Sequence, residues 1–561
     1  MSLETCHSGL CFVAVDVAAP KFFGFSEYLS ALALMVVVWT TTDIRYRFRI
    51  ATAPLPLHRL TFVSITSVGV LTLLTDLWRA EGWLVPRGSI LTPAIWQGLL
   101  GTLFLLTFLT WAWFAYMKPP IFGKRNAQRF RNYLFWVVMD ASPTEMVIVA
   151  QELIRSIPSI VSNAPNKRRI GGYLPAEEPP EPTKVQGIAN DILLLIGDQR
   201  FCRSLVEFSP GTILAVFEEI GETKKYGVSV AQFGRNVVTA AIENPNSFMY
   251  HEAEGYSSGL LGYLKPLSQA IFGNHNMAEV VDSLLDPDYR AIQRWSATEW
   301  KAYARAVLIT LRSYAVSQYG EHSFILHRAF GQFERATSDL YKINGSDGAW
   351  DHVSWQRLQA SVDFCNEAIK VLNEVGLPED LHLRVRRDDP PYFLTILDCL
   401  VDLIFDIMLA ASSVTRPRDL CWSIQHNSVW GHFFGFLSED GVAGKIVKFK
   451  LRRKIYDEIA TATDWPNFKN VKILGFCLNV MGLEIQTRLY GRDYRPLQKA
   501  VLAWTRRNYA SLEAKSPQVF EDCLPDGMSY DKENCRLVRT SEINALRSEP
   551  KHFFFELNNP A

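Results

Sequence analysis

The sequence predicts an all-α membrane protein: three N-terminal transmembrane helices followed by a large cytosolic α-helical domain. Three observations carry that expectation. Three apolar stretches of membrane length fall early in the chain, at about residues 25–43, 60–78 and 91–116. Basic residues crowd the connections that follow the first and third of them. The rest of the chain is helical by periodicity, and strands do not alternate with helices at parallel-sheet spacing.

Composition narrows the field further. A hydrophobic fraction of 48% with 12% aromatics excludes a wholly disordered chain. Lysine plus arginine balances aspartate plus glutamate at 58 each, so nothing pulls the chain towards a polyanion and no nucleic acid is expected as partner. Nine cysteines are scattered without a CxxC pair, which fits reduced thiols. Cys6 and Cys11 are the close pair, and a local disulfide between them stays open.

The spans read "YLSALALMVVVWTTTD", "LTFVSITSVGVLTLLTDLW" and "IWQGLLGTLFLLTFLTWAWFAYM", none with a charge at its middle. Trp39, Trp78, Trp96, Trp111, Trp113 and Tyr116 lie near their ends, where an aromatic belt belongs. Arg45, Arg47, Arg49 and Arg59 follow the first span; Lys118, Lys124, Arg125, Arg129 and Arg131 follow the third. The connection between spans two and three holds only Arg79 and Arg87. The positive-inside rule therefore sets the N-terminus outside and everything after residue 117 in the cytosol, in a multi-pass protein of the cell membrane, a bacterial inner membrane above all. Asp43 and Asp76 each close a span with Thr-Asp before arginine, and alternation of direction places them at opposite interfaces. The reading favours interfacial acids satisfied by Arg47 and Arg79 over a functional pair.

After the transmembrane domain, residues 1–117, comes a juxtamembrane segment, 118–162. Its "KPPIFGKRNAQRFRNYLFW" mixes basic and aromatic side chains suited to anionic headgroups, and "SPTE" opens an amphipathic helix at Ser142. A linker rich in proline, glycine and charge is expected at 163–187, a helical cytosolic domain at 188–510 and an irregular C-terminal segment at 511–561, where "KHFFFELN" suits a strand or a docking tail. Within the helical domain, Ser296 and Glu299 form a second capping-box pattern.

Candidate chemistry is sparse. "GYSSG" satisfies G-x-S-x-G with Ser257 central and His251 the nearest base, but a polar loop stands where a nucleophile elbow needs a strand. Cys421, His426 and His432 are too loosely spaced for zinc and show no fourth ligand, so neither metal nor cofactor is expected. The stretch "LDCLVDLIFDIML" carries Asp398, Asp402 and Asp406 on one helical stripe. As a fourth span it fails, because each central aspartate costs about 3 kcal/mol while each apolar residue returns about 0.5. As a soluble helix its stripe faces water or basic residues such as "KFKLRRK", or else forms a carboxylate cluster for a cation or cationic ligand.

The functional expectation is an integral membrane protein whose cytosolic helical domain serves as a sensor or interaction module coupled to its spans. Its expected partners are a bilayer with anionic headgroups, further copies of itself, and a protein or small-molecule ligand of the cytosolic domain. An enzyme is the less favoured class. The alternatives are an oligomeric gated ion pore or membrane effector of the kind found in bacterial defence, which is analogy of architecture, and a membrane-tethered hydrolase using Ser257.

Overall fold

The computed structural model describes residues 5–7, 10–15, 21–40, 43–86, 92–166, 182–252, 266–317, 322–346, 348, 350–376, 394–435, 441–485, 493–520, 523–541 and 551–559. It is mostly helical, and two compact units divide its described residues, the first running up to Phe233 and the second beginning at Gly234.

The first unit starts with two short strands, β1 (Thr5–His7) and β2 (Leu10–Ala14), before the helix α1 (Phe25–Thr40). α2 (Ile44–Ala51) is set at 108° to α1, and the long α3 (Leu57–Ala80) follows. β3 (Leu84–Pro86) leads on to α4 (Pro93–Ala112), which continues as a π-turn through Met117. β2 pairs antiparallel with both β1 and β3, with Cys6 opposite Cys11 in the backbone register. Two helices, Leu57–Ala80 and Pro93–Met117, are long and apolar enough to cross a membrane, and three are if the bent pair α1–α2 is one span. Where the sequence reading carried the first span to residue 43, the helix ends at Thr40. The arginine-rich connection after it is itself helical, because "IRYRFRIA" alternates arginines with a face on which Ile44, Phe48 and Ile50 are buried.

Further helices of this unit include α5 (Ala127–Asp140), α6 (Pro143–Leu153) and α7 (Ile157–Asn163), which lead on to α8 (Lys184–Leu195) and α9 (Gln199–Phe208) and then to the helix Pro210–Thr223. The pattern at "SPTE" works as spaced: the Ser142 hydroxyl accepts from the Glu145 amide, and the Glu145 carboxylate accepts from the Ser142 amide. The expected linker lies mostly outside the described residues. The helices just beyond it pack with the first unit, α5 on α8 and α6 on α9.

The second unit is built from long helices: α10 (Ala297–Ser317), α11 (Phe324–Thr337), α12 (Val353–Val375), α13 (Ile396–Ser412), α14 (Val442–Thr461), α15 (Phe468–Met481) and α16 (Arg495–Lys515). α13 is central, packed against α11, α12, α14 and α15. Instead of an irregular tail, the C-terminal segment forms an antiparallel sheet of β4 (Met528–Asp531), β5 (Arg536–Ser541) and β6 (Lys551–Glu556). "KHFFFE" is the strand β6, and its Phe555 is buried. With two three-stranded sheets, the chain is mainly rather than purely α.

Candidate functional site

The clearest site in the first unit is a junction of ionic bonds. Arg49 on α2 is buried, and its guanidinium grips the Glu152 carboxylate of α6 with two bonds of 2.7 Å. A third bond of 2.9 Å runs from Arg49 to the carbonyl of Ala115, in the π-turn that ends α4. Arg45, one turn earlier, approaches the same carboxylate at 3.4 Å. Side-chain exposure of only 10% and 9% at Arg49 and Glu152 makes this a desolvated, bidentate pair, the geometry a planar guanidinium suits best. Asn126 adds a bond to the Thr52 carbonyl (2.8 Å) and Arg129 one to that of Pro54 (2.7 Å).

These contacts set out where the basic residues of the sequence reading lie. Arg49, Arg129 and Arg131 hold protein partners, Arg131 pairing with Asp191 at 2.9 Å, whereas Arg47, Lys124 and Arg125 are exposed. At the other end of the helices Asp76 accepts from the Phe25 amide at 3.0 Å, capping α1, and lies 3.4 Å from Lys21. Asp43 is exposed at the start of α2, with no side-chain capping bond, and Arg79 is half-buried in the last turn of α3.

In the second unit the aspartate stripe resolves into three different environments. Asp398 is the third residue of a capping box: one carboxylate oxygen accepts from the Thr395 amide and hydroxyl, the other from Lys450 of α14. Asp402 pairs with Lys454 at 2.5 Å, so the four-residue spacing on α13 is matched by the same spacing on α14. Lys454 and Lys469 also lie over the ring of Phe405, 5.3 and 5.0 Å from its centre. Asp406 forms no ion pair among the described residues. Burial, then the nearby Glu334 carboxylate, pushes its acid up to about 6, against the pull of Lys454 and Lys469. Two of the three carboxylates are thus spent on lysines, and no cluster among the described residues could hold a metal ion.

The other candidates separate. Ser257 lies outside the described residues. His251 is exposed, while its neighbour Glu252 accepts from the amides of Leu267 (2.6 Å) and Ser268 (2.9 Å), a structural task at the start of a short helix. Cys421 is buried and accepts from Asn479 at 3.4 Å; His432 bonds Asn366 at 3.1 Å; His426 lies flat against Trp422, ring centres 4.0 Å apart. The stretch Ser423–Trp430 that bears His426 is a π-helix, in which Gln425 turns inward to the Val414 carbonyl and to Asn479.

The sequence reading missed Glu152, Thr395 and the Trp422 cluster. Thr395 had a signal, the T-x-x-D spacing to Asp398. Glu152 had none, its partner being 103 residues away. Comparison with protein-family models, with curated proteins and with solved structures finds no match to this chain.

Proposed function

We propose that the chain is a multi-pass membrane protein, with α1, α3 and α4 in the bilayer, its N-terminus outside and its body in the cytosol, and that this body is a sensor or interaction module coupled to the spans. The observation that carries this reading is the Arg49–Glu152–Ala115 junction. It ties the inner end of α4 and the bent segment after α1 to α6, so a displacement of α6 is transmitted to two span ends at once. A desolvated ion pair is costly to open and is therefore a stiff coupling.

Three features support the membrane placement. Leucines along α4 (99, 103, 105, 106 and 109) are 44–55% exposed, a surface that lipid rather than water would cover. Exposed Trp78, Trp83, Trp113 and Tyr116 ring the helix ends. The pairing of β2 with β3 supports a common side for the segment before α1 and the connection between α3 and α4, which the two intervening crossings of this reading require. At 16 residues α1 rises only about 24 Å, short of the roughly 30 Å of a typical hydrocarbon core. Exposed Arg47, Lys124 and Arg125 then meet anionic headgroups.

Reporter fusions at Gly82, a turn with open space around it, and at the C-terminus test the topology. Opposite sides are expected, and the same side overturns the arrangement. Light scattering on the detergent-solubilised full chain tests the role. A monomer or dimer keeps the spans as anchor and relay. A ring of four or more copies replaces that role with a gated pore, since three spans are too few to enclose one alone.

A further inference from the structure

Beyond the membrane reading, and independent of it, the second unit holds two arginines that lack a counter-charge among the described residues. Arg418 opens the short helix that ends in Trp422, and Arg539 stands on the middle strand β5. Both are half-buried. The Arg539 guanidinium lies 5.4 Å from the centre of the Trp422 ring, whose partner His426 stacks at an interplanar angle of 9°. Burial, then repulsion from Arg418, lowers the pKa of Arg539. Burial leaves His426 below its ordinary value, and Arg539 adds to this against the Asn427 bond. Backbone geometry brings the two arginines to one place, because Gly527, which abuts Arg418, accepts at 2.9 Å from the amide of Thr540, the neighbour of Arg539.

Among the described residues neither guanidinium donates a hydrogen bond or forms an ion pair. The acids at hand do not serve them. Asp419 is exposed, and Asp526 acts on the Cys421 thiol without pairing to either arginine. Two glycines with left-handed backbones close the surroundings. A Cβ on Gly482 (φ +74°) would lie 3.0 Å from Arg539 Nη1, and one on Gly527 (φ +85°) 3.0 Å from Arg418 Cδ. Only glycine lets these turns come so near the two side chains.

An arginine keeps its charge, offers five N–H donors, and is seldom desolvated without an acceptor. Two of them half-buried about the same strand pairing repel one another unless an anion answers their charge. We propose that Arg418 and Arg539, walled by the Trp422–His426 stack, form a binding site for a phosphate group. The charge selects that class: a phosphate monoester carries about −1.5 to −2 at neutral pH and balances both guanidiniums, whereas a carboxylate leaves one unanswered. The phosphate comes either from a free phosphorylated metabolite or from a lipid headgroup.

The test is calorimetric titration of the detergent-solubilised full chain with inorganic phosphate, pyrophosphate and AMP. A parallel arm uses flotation with phosphatidylcholine vesicles containing phosphatidic acid. Saturable binding is expected, weakened at least about tenfold in both Arg418→Gln and Arg539→Gln and unchanged in Arg453→Gln, an exposed arginine elsewhere on α14. Without ligand both test variants should melt no lower than the wild type, because the repulsion is gone; this is an outcome a purely structural arginine would not give. Binding of soluble probes assigns the site to a free metabolite, and binding of vesicles alone assigns it to a headgroup. Failure of every probe to bind, or binding indifferent to both substitutions, overturns the proposal.

Discussion

Two helices of similarly apolar sequence, α4 and α13, are dressed in opposite ways. On α4 the buried residues are Gln97, Leu100, Thr107 and Trp111, and leucines fill the outward faces. Only 22% of its apolar window is buried. On α13 almost every apolar side chain is buried, and Asp402 and Asp406 occupy the half-exposed edge. Apolar content alone therefore does not distinguish a helix with an outward apolar face, long enough to cross a membrane, from a core helix. What does is where the few polar groups point: inward on α4, and towards a basic partner helix on α13. The same contrast governs ionic bonds. The first unit places one deep bidentate pair where its helices meet, and the second spreads a ladder of lysines along α14.

The largest effects should come from stranding a buried charge. Glu152→Ala leaves Arg49 desolvated beside Ala115, at a cost of about 3–5 kcal/mol. The Arg49→Met/Glu152→Leu double variant should recover most of that loss, because both ions go together. Thermal unfolding of the solubilised chain measures both, and equal losses in the single and double variants would show that the junction is held by packing instead. Asp398→Ala belongs to the same class, since Lys450 is as deeply buried.

Next in size is a direct break of the α4–α13 comparison. Leu105→Arg places a charge on the outward face of α4, 54% exposed at that position. In water this exchange is nearly free, but at the centre of a bilayer it costs about 3 kcal/mol. Membrane fractionation and yield report it, and a variant that inserts and accumulates like the wild type would remove α4 from the membrane.

How much of this was legible differs along the chain. Span-length runs and the capping box of Ser142 and Glu145 were readable because each depends on residues within one helix. Of the strands, only β6 was, as one of two readings of "KHFFFELN". β3 is three residues of "LVP" whose only reason to be extended is pairing with β2 some seventy residues earlier. The aspartate stripe was visible as a pattern, yet its fate was set by Lys450 and Lys454, 52 residues away in each case. Arg418 and Arg539 carry no motif at all; only the fold brings them to one place.

Asp406 supplies a smaller, pH-dependent effect. Its folded acid at about 6 stands above the ordinary carboxylate range. The native state therefore holds a proton that the unfolded chain releases. That contribution is complete below about pH 4 and lost as the pH rises through 6. Asp406→Asn, which carries no charge, should gain about 2 kcal/mol over wild type near pH 8 once partial exposure is allowed for. Near pH 4 it should gain nothing. A pH-independent difference between the two melting curves would mean that neither burial nor the Glu334 carboxylate raises this acid.

The smallest effect sharpens the contrast within the ladder itself. Lys454 and Asp402 are 32% and 38% exposed, against 5% and 10% for Lys450 and Asp398. When Asp402→Ala removes its partner, Lys454 can turn to water and keep its place over Phe405, so the cost should stay below about 1 kcal/mol. It should also fade with added salt, because an exposed pair is screened and a buried one is not. Equal losses from Asp402→Ala and Asp398→Ala, both insensitive to salt, would make the two rungs one desolvated unit. The outer edge of α13 would then be as closed as its core.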